Sequence, residues 1–146
     1  METLSLVTKK MFSASLEDVF DAWTDPKELA KWYGPEGFMI DIHSFDLKEG
    51  GAYRLTMNAP DGAKHILRGT FTKVQRPTSL AFTWQWENGG ENDTPGSETL
   101  VEIKLAEKEG KVEMTFTHSG FLDDEVKSLH NQGWSSSFHK LEKLFL

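Results

Sequence analysis

Hydrophobic residues recur along this chain with two different periods, and the changes of period divide it into elements. Leu4 and Leu6 open a first strand that runs towards Lys10. Leu16, Val19, Phe20 and Trp23 then fall at helical spacing behind Ser15, a residue suited to cap a first turn. A second short helix has a stronger start signal. Asp25-Pro26-Lys27-Glu28 supplies a cap, a proline at the first helical position and an acid at the third, and Leu29, Trp32 and Tyr33 form the apolar side. Gly34-Pro35 ends it.

Beyond Pro35 the period is two. Phe38, Ile40 and Ile42 share a face, whereas Phe45 and Leu47 continue on the other parity, which predicts a bulge near His43-Ser44. Gly50-Gly51 is a turn. Tyr53, Leu55 and Met57 alternate with Arg54, Thr56 and Asn58, so Arg54 is expected to face outward, and Pro60-Asp61-Gly62 makes the next hairpin. Gly69, inside the strand from Ala63 to Val74, marks a sharp bend or the close approach of another backbone. Leu80, Phe82, Trp84 and Trp86 form a strongly apolar face, and Asn88 to Ser97, with three Gly and a Pro, is expected to be a mobile loop. Val101, Ile103 and Leu105 oppose Glu102 and Lys104, and Glu109-Gly110 turns the chain into a last strand.

In that strand Val112, Met114, Phe116 and His118 fall on one face, which puts His118 in line with the core. Thr117-His118-Ser119-Gly120-Phe121 is read as the junction, or hinge, to a terminal helix. This helix begins in Asp123-Asp124-Glu125 and ends with Lys140 and Lys143, charges that suit the two ends of the helix dipole. Trp134, Phe138, Leu141 and Phe145 make a packing stripe. Beside it runs a stripe of mostly small or polar residues, Val126, His130, Gly133 and Ser137. Two roles are open for this second stripe: it lies over a cavity, or Gly133 simply lets the helix sit close to the sheet.

Strands followed by a segregated long helix specify an α+β architecture with an antiparallel sheet. The expected arrangement is a helix grip: a curved sheet of about six or seven strands, two short helices after the first strand, and the long C-terminal helix held by the sheet. No repeat or linker interrupts the chain, so residues 1–146 are read as one domain. At this length a chain buries roughly 68–70% of its unfolded surface, enough for one core.

Charge and composition narrow the function. A net charge of -7 without a Lys/Arg cluster argues against nucleic-acid binding. With no cysteine, disulfides, thiolate catalysis and thiolate metal sites are excluded, and the composition fits a cytoplasmic location. Neither a signal peptide nor a membrane span is expected.

Several fragments, taken in order, carry a family resemblance. Ser15-Leu16-Glu17-Asp18-Val19-Phe20-Asp21-Ala22-Trp23-Thr24-Asp25-Pro26, Trp32-Tyr33-Gly34-Pro35 and Gly50-Gly51-Ala52-Tyr53-Arg54 come first, then Leu80-Ala81-Phe82-Thr83-Trp84, Thr115 to Phe121, and Gly133-Trp134. Together they resemble the homologues of the heat-shock protein 90 (Hsp 90) ATPase activator, specifically the short, single-domain bacterial members. The resemblance implies the Bet v 1-like, START-like fold of the SRPBCC superfamily, with a cavity between sheet and C-terminal helix. It also implies a possible accessory role to a chaperone, or another protein contact, in a stress response.

The candidate chemistry is that of a binding site. Trp32, Tyr33, Phe38, Tyr53, Trp84, Trp86, His118, Phe121, His130, Gly133, Trp134 and Ser137 are the expected wall of a cavity for a small hydrophobic molecule, against the alternative of plain core packing for most of the aromatics. The five histidines lack the spacing of a compact metal motif, so no metal and no cofactor is expected. His118 is either a satisfied core histidine or a residue that bonds a ligand, and as a general base it would serve an enzyme of the cyclase, hydrolase or dehydratase type. No catalytic residue is assigned. Exposed strand edges leave a homodimer open.

Overall fold

In the computed structural model, residues 4–88 and 96–145 are described. The chain runs β1 (Leu4–Phe12), α1 (Leu16–Thr24), α2 (Pro26–Trp32), β2 (Met39–Phe45), β3 (Ala52–Asn58), β4 (Lys64–Gln75), β5 (Ser79–Trp86), β6 (Thr99–Lys108), β7 (Lys111–Phe121) and α3 (Asp124–Leu144). The strands form one seven-stranded sheet in the order β1-β7-β6-β5-β4-β3-β2, and every neighbouring pair is antiparallel. This is the helix-grip architecture. Most of the expected loop at Asn88 to Ser97 lies outside the described residues.

The short helices start where their caps dictate. Ser15 accepts the Asp18 amide at 3.1 Å, and Asp25 accepts that of Lys27 at 3.0 Å ahead of Pro26. The buried Trp32 indole N–H donates to the Ala22 carbonyl at 2.8 Å and ties α2 to α1. Asp123 caps α3 through the Val126 amide at 2.8 Å, so its acidic start is a capping device.

Three register shifts interrupt the sheet, one of them in β4 between Phe71 and Lys73, and the other two set the inward positions nearest the expected wall. Between β2 and β3 the register slips at His43, so Ile42 opposite Leu55 and Phe45 opposite Tyr53 both point inward, as the change of parity predicts. In β7 the slip falls at Gly120, whose φ of +100° is a conformation that L side chains rarely adopt. One extra residue there turns Phe121 back to the inner face as His118 is, and both are buried. The segment Thr117 to Phe121 is therefore strand to its end, not the expected hinge. Its residues pair with β1, which holds Leu6 opposite His118 and Leu4 opposite Phe121.

Gly69 marks a close approach. A Cβ there would meet the Thr83 carbonyl oxygen at 2.0 Å and the Tyr53 ring at 2.6 Å. The Tyr53 ring takes the space a side chain would fill, and its hydroxyl donates to that same carbonyl at 2.6 Å. Arg54 faces outward, as its parity requires, and makes a two-pronged contact with Glu87 at 2.7 and 3.1 Å.

Helix α3 lies against the inner face through Trp134, Phe138 and Leu141. Trp134 and Phe138 meet Phe116 at centroid distances of 4.6 and 5.0 Å. Lys10 of β1 pairs with Glu142 at 2.8 Å, and Phe12 meets Phe145 edge-on at 5.5 Å. All five tryptophans join in one line, Trp32 to Trp23, Trp134, Trp84 and Trp86, with successive centroids 4.6, 6.0, 4.9 and 5.5 Å apart.

Candidate functional site

The inner face of the sheet has a filled half and an open half. In the filled half Phe45, Tyr53, Phe71 and Phe82 interlock at centroid distances of 5.2 to 6.5 Å, beneath Trp23. A void of about 10 Å³ is left among them, too small for anything larger than water. Further along the same strands the side chains facing α3 leave a cavity of about 410 Å³. The reason lies on the helix. Where the packing stripe presents Trp134 and Phe138, the adjacent stripe presents Gly133 and Ser137, which fill little space.

Eight of the twelve expected wall residues line this cavity: Tyr33, Phe38, Trp84, Trp86, His130, Gly133, Trp134 and Ser137. The structure places the other four elsewhere. Trp32 is wholly buried against α1, Tyr53 belongs to the filled half, and His118 and Phe121 sit behind the wall. Five lining residues were absent from the expected set: Gly34, Pro35, Met57, His65 and Leu129. Met57 carried a signal, since it shares a face with Tyr53 and Leu55. His65 comes to the wall because it pairs with Met57 across β3 and β4, a register that the sequence does not display.

Gly133 is not a close-packing device. The nearest atom that an added Cβ would meet is Pro35 Cγ at 3.8 Å, an ordinary contact distance. One rim of the cavity is fixed to the C-terminal half of α3 by polar bonds: Ser136 Oγ accepts the Glu36 amide at 2.7 Å, and the Lys140 ammonium donates to the carbonyls of Tyr33 and Pro35 at 3.4 and 3.3 Å. Burial lowers the Lys140 pKa from its ordinary value, and Glu36 opposes that shift.

His118, behind the wall, and His130, within it, are each held in one neutral tautomer by their partners. The Trp134 indole can only donate, and it does so to His118 Nδ1 at 3.0 Å, so that nitrogen carries no proton. The Thr99 hydroxyl gives its single proton to the Trp84 carbonyl at 2.9 Å, so at 2.7 Å it accepts from His118 Nε2–H. Both ring nitrogens of His118 are therefore used. Burial, with His130 nearby adding to it, brings the His118 pKa down to about 3. His118 has neither a free lone pair nor access to the cavity, which makes it a satisfied core histidine and removes it as a general base.

His130 repeats the pattern with the tautomer reversed. Its Nδ1–H donates to the Val126 carbonyl at 2.9 Å, and its Nε2 accepts from the Trp86 indole at 3.1 Å. Burial lowers its pKa, and the bond to Val126 works in the opposite direction. Tyr33 is 3% exposed, and burial raises the pKa of its hydroxyl well above the usual phenol range. The cavity wall is thus largely aromatic and aliphatic, with His65, His130 and Ser137 as polar members and, among the described residues, no Asp, Glu, Lys or Arg in it.

A curved antiparallel sheet that grips a terminal helix around an apolar cavity defines a START-like, Bet v 1-like domain. Within that class the chain belongs to the Activator of Hsp90 ATPase homolog 1-like proteins, the family whose profile matches residues 13–145. Solved structures agree. Protein CV1439 from Chromobacterium violaceum is 26% identical with a TM-score of 0.88, over 97% of this chain and 96% of that one. The AHSA1 protein SPO3351 from Silicibacter pomeroyi is 30% identical with a TM-score of 0.83, over 96% of each chain. CalU16 from Micromonospora echinospora, at 20% identity, shares the fold, with a TM-score of 0.75 over 98% of this chain and 76% of that one. A search of the curated proteins found no significant match. Among the described residues no helix is long and apolar enough to cross a membrane.

Proposed function

We propose that this protein is a binding module that holds one small, uncharged, hydrophobic molecule between its sheet and α3. The observation that carries this reading is the cavity of about 410 Å³ walled by Tyr33, Phe38, Trp84, Trp86 and Trp134, a volume in the range of small-molecule sites. A wall without Asp, Glu, Lys or Arg among the described residues, and its flat aromatic faces, favour an uncharged, largely aromatic or aliphatic ligand, because a charge placed there would lose its hydration without gaining an ionic partner. The wall residues serve as contacts; the Trp134-His118-Thr99 chain holds the wall in shape from behind.

The test uses N-phenyl-1-naphthylamine, a neutral aromatic whose fluorescence rises in an apolar site. Saturable binding of one equivalent, competed by a compound that native mass spectrometry finds in freshly purified protein, is the expected result. Non-saturable binding, or binding unaffected by Trp86→Ala and Gly133→Leu, would overturn the proposal.

The family description supports a second reading, an accessory to a chaperone ATPase. Its expected outcome is a change in the ATPase rate of a bacterial Hsp90 when this protein is added. An unchanged rate and no co-elution would remove it.

A further inference from the structure

The two halves of α3 are held very differently. From Trp134 onward the helix buries Trp134, Ser137, Phe138 and Leu141 and is tied to the rest of the fold through His118, the Glu36 amide, two carbonyls of the α2–β2 loop and Lys10. Before Gly133 no helical residue is buried: Val126 is 40% exposed and Leu129 60%. Among the described residues, the N-terminal half makes one side-chain hydrogen bond to the sheet, from Trp86 Nε1–H to His130 Nε2. Yet Leu129 and His130, both in this loosely held half, form part of the cavity wall.

Gly133 stands at the boundary. A glycine inside a helix weakens it relative to alanine, and tight packing does not require one here, since a Cβ would find its nearest neighbour at 3.8 Å. On the other side the segment is anchored by Phe121, which is 1% exposed. Leu122 and Asp123, between that anchor and the helix, are both exposed.

We infer that residues 122–133 form a flap over the cavity, which bends at Gly133 and is latched by the Trp86–His130 hydrogen bond. When the latch is made, Leu129 and His130 form one part of the wall of a cavity that stays open to water on another side. When it breaks, this stretch lifts from the sheet while Trp134 to Leu144 stays in place, and the cavity opens along the side nearest Trp86. The flap goes beyond the binding role proposed above and widens the route by which an occupant of the apolar cavity enters and leaves.

Amide hydrogen exchange read by mass spectrometry on the intact, ligand-free protein tests the flap without needing a ligand. Amides of residues 127–132 are expected to exchange at least tenfold faster than those of 136–144. Trp86→Phe, which keeps the ring and removes the donor, is expected to speed exchange in 127–132 about fivefold and leave 136–144 unchanged. Gly133→Ala is expected to slow exchange in 127–132 and to slow the association rate of N-phenyl-1-naphthylamine. Equal exchange in the two halves of wild-type α3, or a Trp86→Phe effect shared by both halves, would overturn the flap. Absence of probe binding with the exchange pattern intact would overturn the binding role and leave the flap standing.

Discussion

Replacing Gly133 by leucine should make the protein more stable and a poorer binder, two effects that a mere packing position would not produce together. Leucine has nearly the helix propensity of alanine, so the exchange gains about 0.8 kcal/mol in a helix interior. The new side chain starts from a Cβ whose nearest neighbour is 3.8 Å away and extends towards a cavity of about 410 Å³. Full burial of a leucine is worth about 1.5–3 kcal/mol; with one side of the cavity open to water, about half of the lower figure is reasonable. The sum is about 1.5 kcal/mol, or about 5 °C in Tm for a chain of this size. Urea and thermal unfolding measure that gain. The same four carbons occupy space the probe needs, and a fluorescence titration with N-phenyl-1-naphthylamine should show at least a tenfold weaker Kd, about 1.4 kcal/mol. A variant that loses 1 kcal/mol or more and binds as tightly as wild type would refute the reasoning, because it would mean that Gly133 faces packed atoms.

Further outcomes follow from the interior. His118 takes up a proton at about pH 3 when folded and near 6.5 when unfolded, so the unfolded chain gains protons first as the pH falls. The stability it contributes is complete above pH 6.5 and is lost downward through that window, about 2 kcal/mol by pH 5; nitrogen-15 spectra should show the Nε2–H tautomer of His118 unchanged down to pH 5, and a titration step near 6.5 would contradict this. Thr99→Val removes the acceptor for His118 Nε2–H and the donor to the Trp84 carbonyl, and should cost about 2–4 kcal/mol in urea unfolding, because two buried groups lose their partners. Gly69→Ala drives a methyl into the Thr83 carbonyl and should destabilise the protein by at least about 3 kcal/mol, whereas a loss below 1 would mean that β4 and β5 separate easily.

The architecture could be read in the sequence because each element is marked by local chemistry. Asp25-Pro26 announces a helix by its own cap, and the parity change between Ile42 and Phe45 reveals a bulge without any knowledge of the neighbouring strand. The site was less legible, and the difference is one of range. Parity says that Tyr53 and Met57 share a face, but not that Tyr53 lies in the filled half and Met57 at the cavity; that depends on which aromatic rings meet across β3, β4 and β5. Phe121 shows the same limit from another direction. Simple alternation from His118 would turn it outward, and only the left-handed backbone at Gly120 brings it in. The roles of His118 and His130 depend on partners 16 to 44 residues away in sequence, at Thr99, Trp134 and Trp86. No local pattern carries that information.

The unbroken line of indoles from Trp32 to Trp86 has an optical consequence. Rings spaced 4.6 to 6.0 Å apart are close enough to exchange excitation before they emit, so the five tryptophans are expected to behave as a coupled set in fluorescence and near-ultraviolet dichroism. Light absorbed deep between α1 and α2 can be quenched at the cavity, where Trp86 ends the line. An acceptor dye in the cavity would darken the emission of the whole protein, and a signal assigned to any single tryptophan would have to be established by replacing the other four.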